Sequence, residues 1–416
     1  MPGEIIKLLI ILIFIIFLLK INLNLSLNLL INSLLIGLLF RIDIIRILII
    51  WRDAILNPTS IELLGIIFLL YVLSICMEKL KKFERMVYFL QEMITDYRLV
   101  MILIPSFVSL LPIQGGAIFS APMIKSIGDV NKISAEKNMF INYWFRHIVI
   151  LIYPLNPSII LYASLLSISL KKLIVLLCPF AILALLSGTI WLYLNLNYYP
   201  VKIKKRILKY NQIIAIKGLI YNTWPILMVV LLTLIFNIML LFSLSLVLSL
   251  LLLFNTELRV QWTSFLFESV KASYNTLFLV CSIFIFKEML EYSQVVALLP
   301  DYFLSLGVPL SGALVLVPFL IGFFTGSVIA FVGICVPLFS TILVDNNGMI
   351  VISKIILLFI SGHIGMMLTP IHLCLAITKD YFQIRINKFY NILITQLSVL
   401  SIFSIFYYLF LNKIVD

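Results

Sequence analysis

The sequence predicts an all-α polytopic membrane protein with an inverted-topology repeat of about ten transmembrane helices plus two re-entrant hairpins. Three observations lead there: the composition, a recurring set of His and Pro positions, and the placement of basic residues. The 416 residues are 63% hydrophobic and 12% charged, with a mean hydropathy of +1.19. A water-soluble surface needs about a quarter charged residues, so the bilayer is the solvent. Long apolar runs without period-2 alternation favour helices over a barrel. His147 and His363 each precede a proline by seven residues, Pro154 and Pro370, and each follows another proline, Pro122 and Pro337. The whole set returns after a shift of about 216 residues, the spacing expected of a duplicated unit.

Taken in order, helices are expected at 4–20, 24–40 and 60–77. The first ends at Lys20 without a small-residue cleavage site, so it reads as a transmembrane helix rather than a signal peptide. Residues 41–56 carry three arginines and Trp51, too polar to span, and read as an interfacial helix. Segment 99–124 holds Pro105, Pro112, Gly115, Gly116 and Pro122. It is too short for two crossings and too broken for one straight helix, so it is expected to be a re-entrant hairpin facing a cavity. A helix interrupted near Pro154 (138–169) and a helix at 173–194 complete a first repeat, 1–195. A basic linker, 196–222, carries Lys202, Lys204, Lys205, Arg206 and Lys209. In so apolar a chain this run marks the cytoplasmic side and not a nucleic-acid site. The second repeat, 223–416, is expected to hold helices near 224–240, 242–255 and 271–286, a hairpin at 305–341, a helix interrupted near Pro370 (353–378), and a last helix at 387–411.

Treating both broken segments as hairpins places roughly 20 basic residues on one side and roughly 8 on the other, as the positive-inside rule requires. Each unit then crosses an odd number of times, so the copies run in opposite orientations. The cell membrane is the expected location, with both termini outside and the linker cytoplasmic.

At the first hairpin turn, Gly115 and Gly116 permit positive φ and close backbone approach, while Gln114 and Ser120 offer side-chain hydrogen bonds. A helix ending within the membrane exposes N–H groups that favour an anion. Close helix packing is the other reading of these glycines. Thr325, Gly326 and Ser327 occupy the corresponding turn, where the hydroxyls serve either a ligand or their own helix carbonyls. His147 and His363 suit a proton relay or a hydrogen bond to substrate; a satisfied core imidazole is the alternative. His372 lacks a counterpart in the first unit, where Asn156 stands. Arg146, about eight residues into its helix, either snorkels or pairs with an anionic substrate. Pro154 and Pro370, with Tyr153, Asn156, Ser361 and Thr369 around them, mark helix breaks that free carbonyls. Glu288 and Asp301 are the carboxylates nearest to these segments for ion coupling. Cys76, Cys178, Cys281, Cys335 and Cys374 have no paired spacing and read as small buried hydrophobes, with neither a disulfide framework nor a metal site. No H-E-x-x-H, G-x-S-x-G or P-loop pattern occurs, so no enzyme, cofactor or ATP is implied.

Four stretches, LLPIQGGAIFSAPMI (110–124), INYWFRHIVILIYPLNPSIIL (141–161), GFFTGSVIAFVGICVPLF (322–339) and GHIGMMLTPIHLCLAITKDYF (362–382), resemble the prokaryotic integral-membrane family domain of unknown function 401. That family in turn resembles the ion-transporter superfamily of arsenite, citrate, gluconate and dicarboxylate permeases. The resemblance implies a scaffold domain, a moving transport domain, a substrate held between two hairpin tips and two broken helices, and a homodimer formed through scaffold helices. The matching positions are Gln114, Gly115, Gly116, Ser120, Asn142, Arg146, His147, Thr325, Gly326, His363, Thr369, Pro370 and His372. The Ser-Asn-Thr sodium signature of the dicarboxylate branch is missing. The expected function is therefore a secondary active permease for a small polar or anionic solute, coupled to H⁺ rather than Na⁺. The alternative is a membrane enzyme or assembly factor using the same cavity without vectorial transport.

Overall fold

The computed structural model describes residues 2–21, 23–94, 96–110, 116–196, 212–305, 307–345, 347–384 and 386–414. Among these the chain is helical apart from connections and one isolated bridge, Val344 to Ile350. The helices are α1 (Pro2–Lys20), α2 (Leu25–Leu39), α3 (Ile44–Leu56), α4 (Pro58–Lys79), α5 (Lys82–Met93), α6 (Tyr97–Val108), α7 (Ala117–Val130), α8 (Ala135–Ile148), α9 (Pro157–Leu165) and α10 (Leu170–Asn195). They continue as α11 (Gln212–Leu234), α12 (Leu240–Phe254), α13 (Thr256–Val260), α14 (Trp262–Ser293), α15 (Leu299–Ser305), α16 (Leu310–Thr325), α17 (Val328–Leu338), α18 (Ile352–Leu368), α19 (Leu373–Phe382) and α20 (Ile386–Ile414). Six candidate spans are long and apolar enough to cross a bilayer: α4, α10, α11, α14, α18 with α19, and α20. Large apolar side chains face outward around them, Leu194 being 79% and Ile402 69% exposed. Surface of that kind is stable against lipid and costly against water, so the protein is an all-α, membrane-embedded one.

Local chemistry sets the helix boundaries. Asn24, Asp43, Asn57, Asp96, Asn156 and Ser169 accept backbone N–H bonds at the starts of α2, α3, α4, α6, α9 and α10. The expected interfacial helix is α3. The helix interrupted near Pro154 ends at Ile148, passes through a 3₁₀ turn at Val149–Leu151, and resumes at Pro157. Its counterpart stops at Leu368 and resumes at Leu373, with Pro370 in the gap. Pro122 behaves differently from expectation: it lies inside α7, which continues past it to Val130, so it is not a break, whereas α17 ends at Leu338, one residue beyond Pro337.

Two further expectations are corrected. Residues 78–98, read as a loop, contain α5, whose charges masked an apolar face of Met86, Val87 and Leu90. That face packs on α11, where Gly218 admits the Phe89 ring and Lys82 donates to the Tyr221 carbonyl at 3.0 Å. For the same reason α11 starts at Gln212, so the last part of the anticipated linker 196–222 is helical; residues 197–211 lie outside the described set. Helix α14 is also longer than expected at 32 residues, extended at its start where Lys79 pairs with Glu268 at 3.0 Å.

The centre of the molecule is built from the two broken helices. Every residue from Asn138 to Ile148 in α8, and from Ile355 to Met367 in α18, is buried, the signature of helices surrounded by protein. Trp144 of α8 donates to the Ala184 carbonyl of α10 at 3.0 Å, over Gly188. Helices α16 and α18 approach to backbone contact at Gly322, Gly362 and Gly365. Around this centre, α2 packs on α14 and α12 on α4, while α7 meets α19 and α9 meets α17. Tyr71 and Thr276 join α4 to α14 at 2.8 Å.

The start of α6 is tied by Asp96, which accepts from the Arg98 backbone at 2.9 Å, from its guanidinium at 3.0 and 3.1 Å, and from Tyr193 at 3.1 Å. Partial burial pushes the Asp96 carboxyl up, but hydrogen bonds from Arg98 and Tyr193 outweigh it and hold the group below the ordinary carboxylate range. A depressed folded-state pKa contributes stability above the unfolded value, about pH 4, which is lost as pH falls through the folded one. Asp96→Asn is expected to lower stability by about 1 kcal/mol at neutral pH. Thermal melts of both proteins should converge on acidification below about pH 4.

Candidate functional site

Helix α7 starts at Ala117 with Gly116 as its N-cap, and no side chain caps it. Against it lies the guanidinium of Arg146 from α8: a Cβ at Gly116 would stand 2.6 Å from both Nη1 and Nη2. Arg146 is only 6% exposed, and its Nη1 has no hydrogen-bond partner. It does not snorkel to a surface; the helix carries it into the interior. Ser120 Oγ and Asn142 Oδ1, both fully buried nearby in sequence on α7 and α8, are likewise without partners. Two kinds of positive potential, a fixed cation and a helix N-terminus, thus meet. Gln114 and Gly115, expected to share this turn, lie outside the described residues.

The second tip is closed on itself. Thr325 donates to the Ile321 carbonyl of its own helix at 2.7 Å, and Ser327 caps α17 by accepting from the Ala330 amide at 3.4 Å. Gly326 adopts φ +60°, where a side chain would be strained, and a Cβ there would press on His372 at 3.1 Å and on Thr369. Its carbonyl accepts from His372 Nδ1 at 2.6 Å. The break between α8 and α9 is tied to the segment after α6 by Tyr153 donating to the Leu110 carbonyl at 2.9 Å.

Residues of α8 meet the end of α18 and the segment that follows it. Asn142 donates to Thr378 at 3.3 Å, Tyr143 to the Met367 carbonyl at 3.1 Å, and the Nε2 atoms of His147 and His372 lie 2.8 Å apart. The repeat pointed to His147 with His363, but His372 is the residue in contact. His363 is buried within electrostatic reach of both, with Nδ1 unpartnered. Cys374, two residues beyond His372, completes a group whose ligand atoms with His147 and His372 all lie within 4.8 Å of one another. The sequence predicts Cys374 to be a small buried hydrophobe with no metal role; the one trace of this group in the sequence is its H-x-C spacing from His372, a pattern too short to stand out in an apolar run. Arg146 lies within electrostatic reach of Cys374, which places it near the histidine cluster. Glu288, by contrast, is paired with Lys287 at 3.2 Å.

Tautomers follow from the acceptors. Nδ1 of His147 faces the Tyr143 carbonyl at 2.6 Å, and Nδ1 of His372 faces that of Gly326. A carbonyl can only accept, so both Nδ1 atoms carry hydrogen and both Nε2 atoms offer lone pairs. Two lone pairs 2.8 Å apart repel unless a cation lies at them, either a proton or a metal ion.

No curated protein matches the chain significantly. A family model does match, over residues 4–411, and the chain belongs to that family, described as protein of unknown function (DUF401).

Proposed function

We propose that the protein is a secondary active transporter, a permease for a small organic or inorganic anion working by alternating access. The observation that carries this reading is the buried Arg146 guanidinium, its Nη1 without a hydrogen-bond partner, against Gly116 at the start of α7. A charge held this way in a membrane interior is costly and finds its compensation in a ligand of opposite sign. The dense His-bearing centre supports a solute small enough to sit among side chains rather than a polymer.

The architecture proposed for this work is an inverted-topology repeat of about ten crossings with two re-entrant hairpins, α6 with α7 and α16 with α17. The mirrored packing of α2 on α14 and α12 on α4, and of α7 on α19 and α9 on α17, supports it. So does the one-for-one order of α1–α10 and α11–α20. In this reading both termini are outside the cell membrane, residues 196–222 face the cytoplasm, and the protein pairs as a homodimer, as in the permease superfamily that the motifs resemble. H⁺ is the coupling ion ahead of Na⁺, since a sodium site needs several oxygen ligands and the hydroxyls of Thr325 and Ser327 are engaged within their own helices.

A thermal-shift screen of carboxylates, sugar acids and oxyanions on the purified protein should find a stabilising anion. Proteoliposomes should then show counterflow of that labelled anion, with uptake driven by an inward pH gradient and indifferent to Na⁺. Anion binding without counterflow would favour the membrane enzyme or assembly factor instead.

A further inference from the structure

We propose that His147, His372 and Cys374 form a binding site for a soft d¹⁰ metal cation, of which copper(I) is the type. The site gathers two imidazole Nε2 atoms and one Sγ within 4.8 Å at the junction of α8 and α19, His147 and Cys374 buried and His372 half-buried. Each imidazole has its other nitrogen on a backbone carbonyl, Tyr143 or Gly326, at 2.6 Å. That outer contact sets the tautomer and aims the Nε2 lone pair inward, the arrangement that metal-ligating histidines ordinarily have. Two lone pairs aimed at each other across 2.8 Å leave a place for positive charge, and a thiol beside them adds a donor that a shared proton has no need of.

The class of metal follows from the donors and the charge. Two imidazoles and a thiolate are borderline-to-soft ligands that suit copper(I) and zinc(II) and not magnesium or calcium. One thiolate neutralises a monovalent ion, whereas a divalent ion would leave net positive charge in a buried place already within reach of Arg146. Metal–nitrogen bonds of ordinary length set the two Nε2 atoms about 3.3 Å apart, so the rings need to separate by only about 0.5 Å. On binding, Cys374 releases its S–H proton to solvent, any proton held between the rings leaves with it, and the three lone pairs pass to the metal without change of oxidation state. The site does not depend on the transport reading, and either can fail without the other.

The test is copper(I) titrated into the purified full-length protein against a chromophoric copper(I) chelator, followed by X-ray absorption at the copper edge. One copper per chain with one sulfur and two nitrogen scatterers is the expected result. Cys374→Ser and His372→Ala should each weaken binding by at least about 10-fold. Replacing Cys178 and Cys281 by Ser should leave it unchanged. No copper competing with the chelator, a site with only nitrogen and oxygen neighbours, or preference for zinc(II) over copper(I) would each overturn the proposal, and the wild-type protein alone decides these, whether or not a variant folds.

Discussion

Arg146→Met is expected to raise the thermal stability of the ligand-free protein while weakening its stabilising anion by at least about 30-fold. The two effects have one origin. In the absence of a ligand the guanidinium is buried without a partner for Nη1, so its desolvation is uncompensated, and an apolar side chain of similar length removes that cost. With the anion bound, the same charge supplies the chief attraction, and deleting one member of a buried charge pair costs about 2–5 kcal/mol. At about 1.4 kcal/mol per tenfold, even the lower bound exceeds an order of magnitude in affinity. A structural arginine would behave in the opposite way, losing stability on truncation. Thermal melts with and without the anion check both, and a destabilised variant with unchanged anion response would remove Arg146 from the site.

Gly322→Ala and Gly365→Ala should be among the most destabilising single-atom additions in the chain. A Cβ at Gly322 would stand 2.2 Å from the Gly362 carbonyl oxygen, and one at Gly365 would stand 2.1 Å from that of Phe319. These neighbours are backbone, so no rotamer change relieves the clash and α16 must move away from α18. Overpacking of this kind costs about 1–3 kcal/mol, and in a contact between helix axes the upper end is expected. Movement of α16 also carries Gly326 away from His372 and loosens the histidine junction. The double variant should cost less than the sum of the singles, because one separation relieves both clashes. Gly312→Ala is the control: its nearest neighbour is a Pro309 ring carbon at 3.4 Å, an ordinary contact, so stability should change little. Denaturation of the four proteins in detergent, monitored by Trp fluorescence, measures these differences.

Much of the helix order was legible in the chain, because hydropathy and Pro/Gly punctuation are local properties. The interruptions around Pro154 and Pro370 were placed correctly, as both prolines fall in segments where the helix has stopped. Pro122 looks the same in sequence but sits within α7, which continues to Val130, whereas Pro337 lies one residue before the end of α17. Helix α5 escaped notice because its apolar face is narrow and has meaning only against α11. The candidate site was legible as a set of residues and illegible as a set of contacts. Thr325 and Ser327 look like ligands by composition, yet they bond within their own helices.

From its sequence alone this protein is committed to lipid as its solvent, to helices as its elements, and to the positions where those helices break. Each follows from the transfer energy of side chains and from the backbone limits of proline and glycine, which act over a few neighbouring residues. Which histidine meets His147, where the Arg146 guanidinium ends, and that Cys374 stands beside both rings were decided only in three dimensions. The contacts of His147 with His372 and Cys374 join residues more than 200 positions apart, that of Arg146 reaches back to Gly116, and their geometry is set by how closely α7, α8 and α19 pack, which no local pattern encodes.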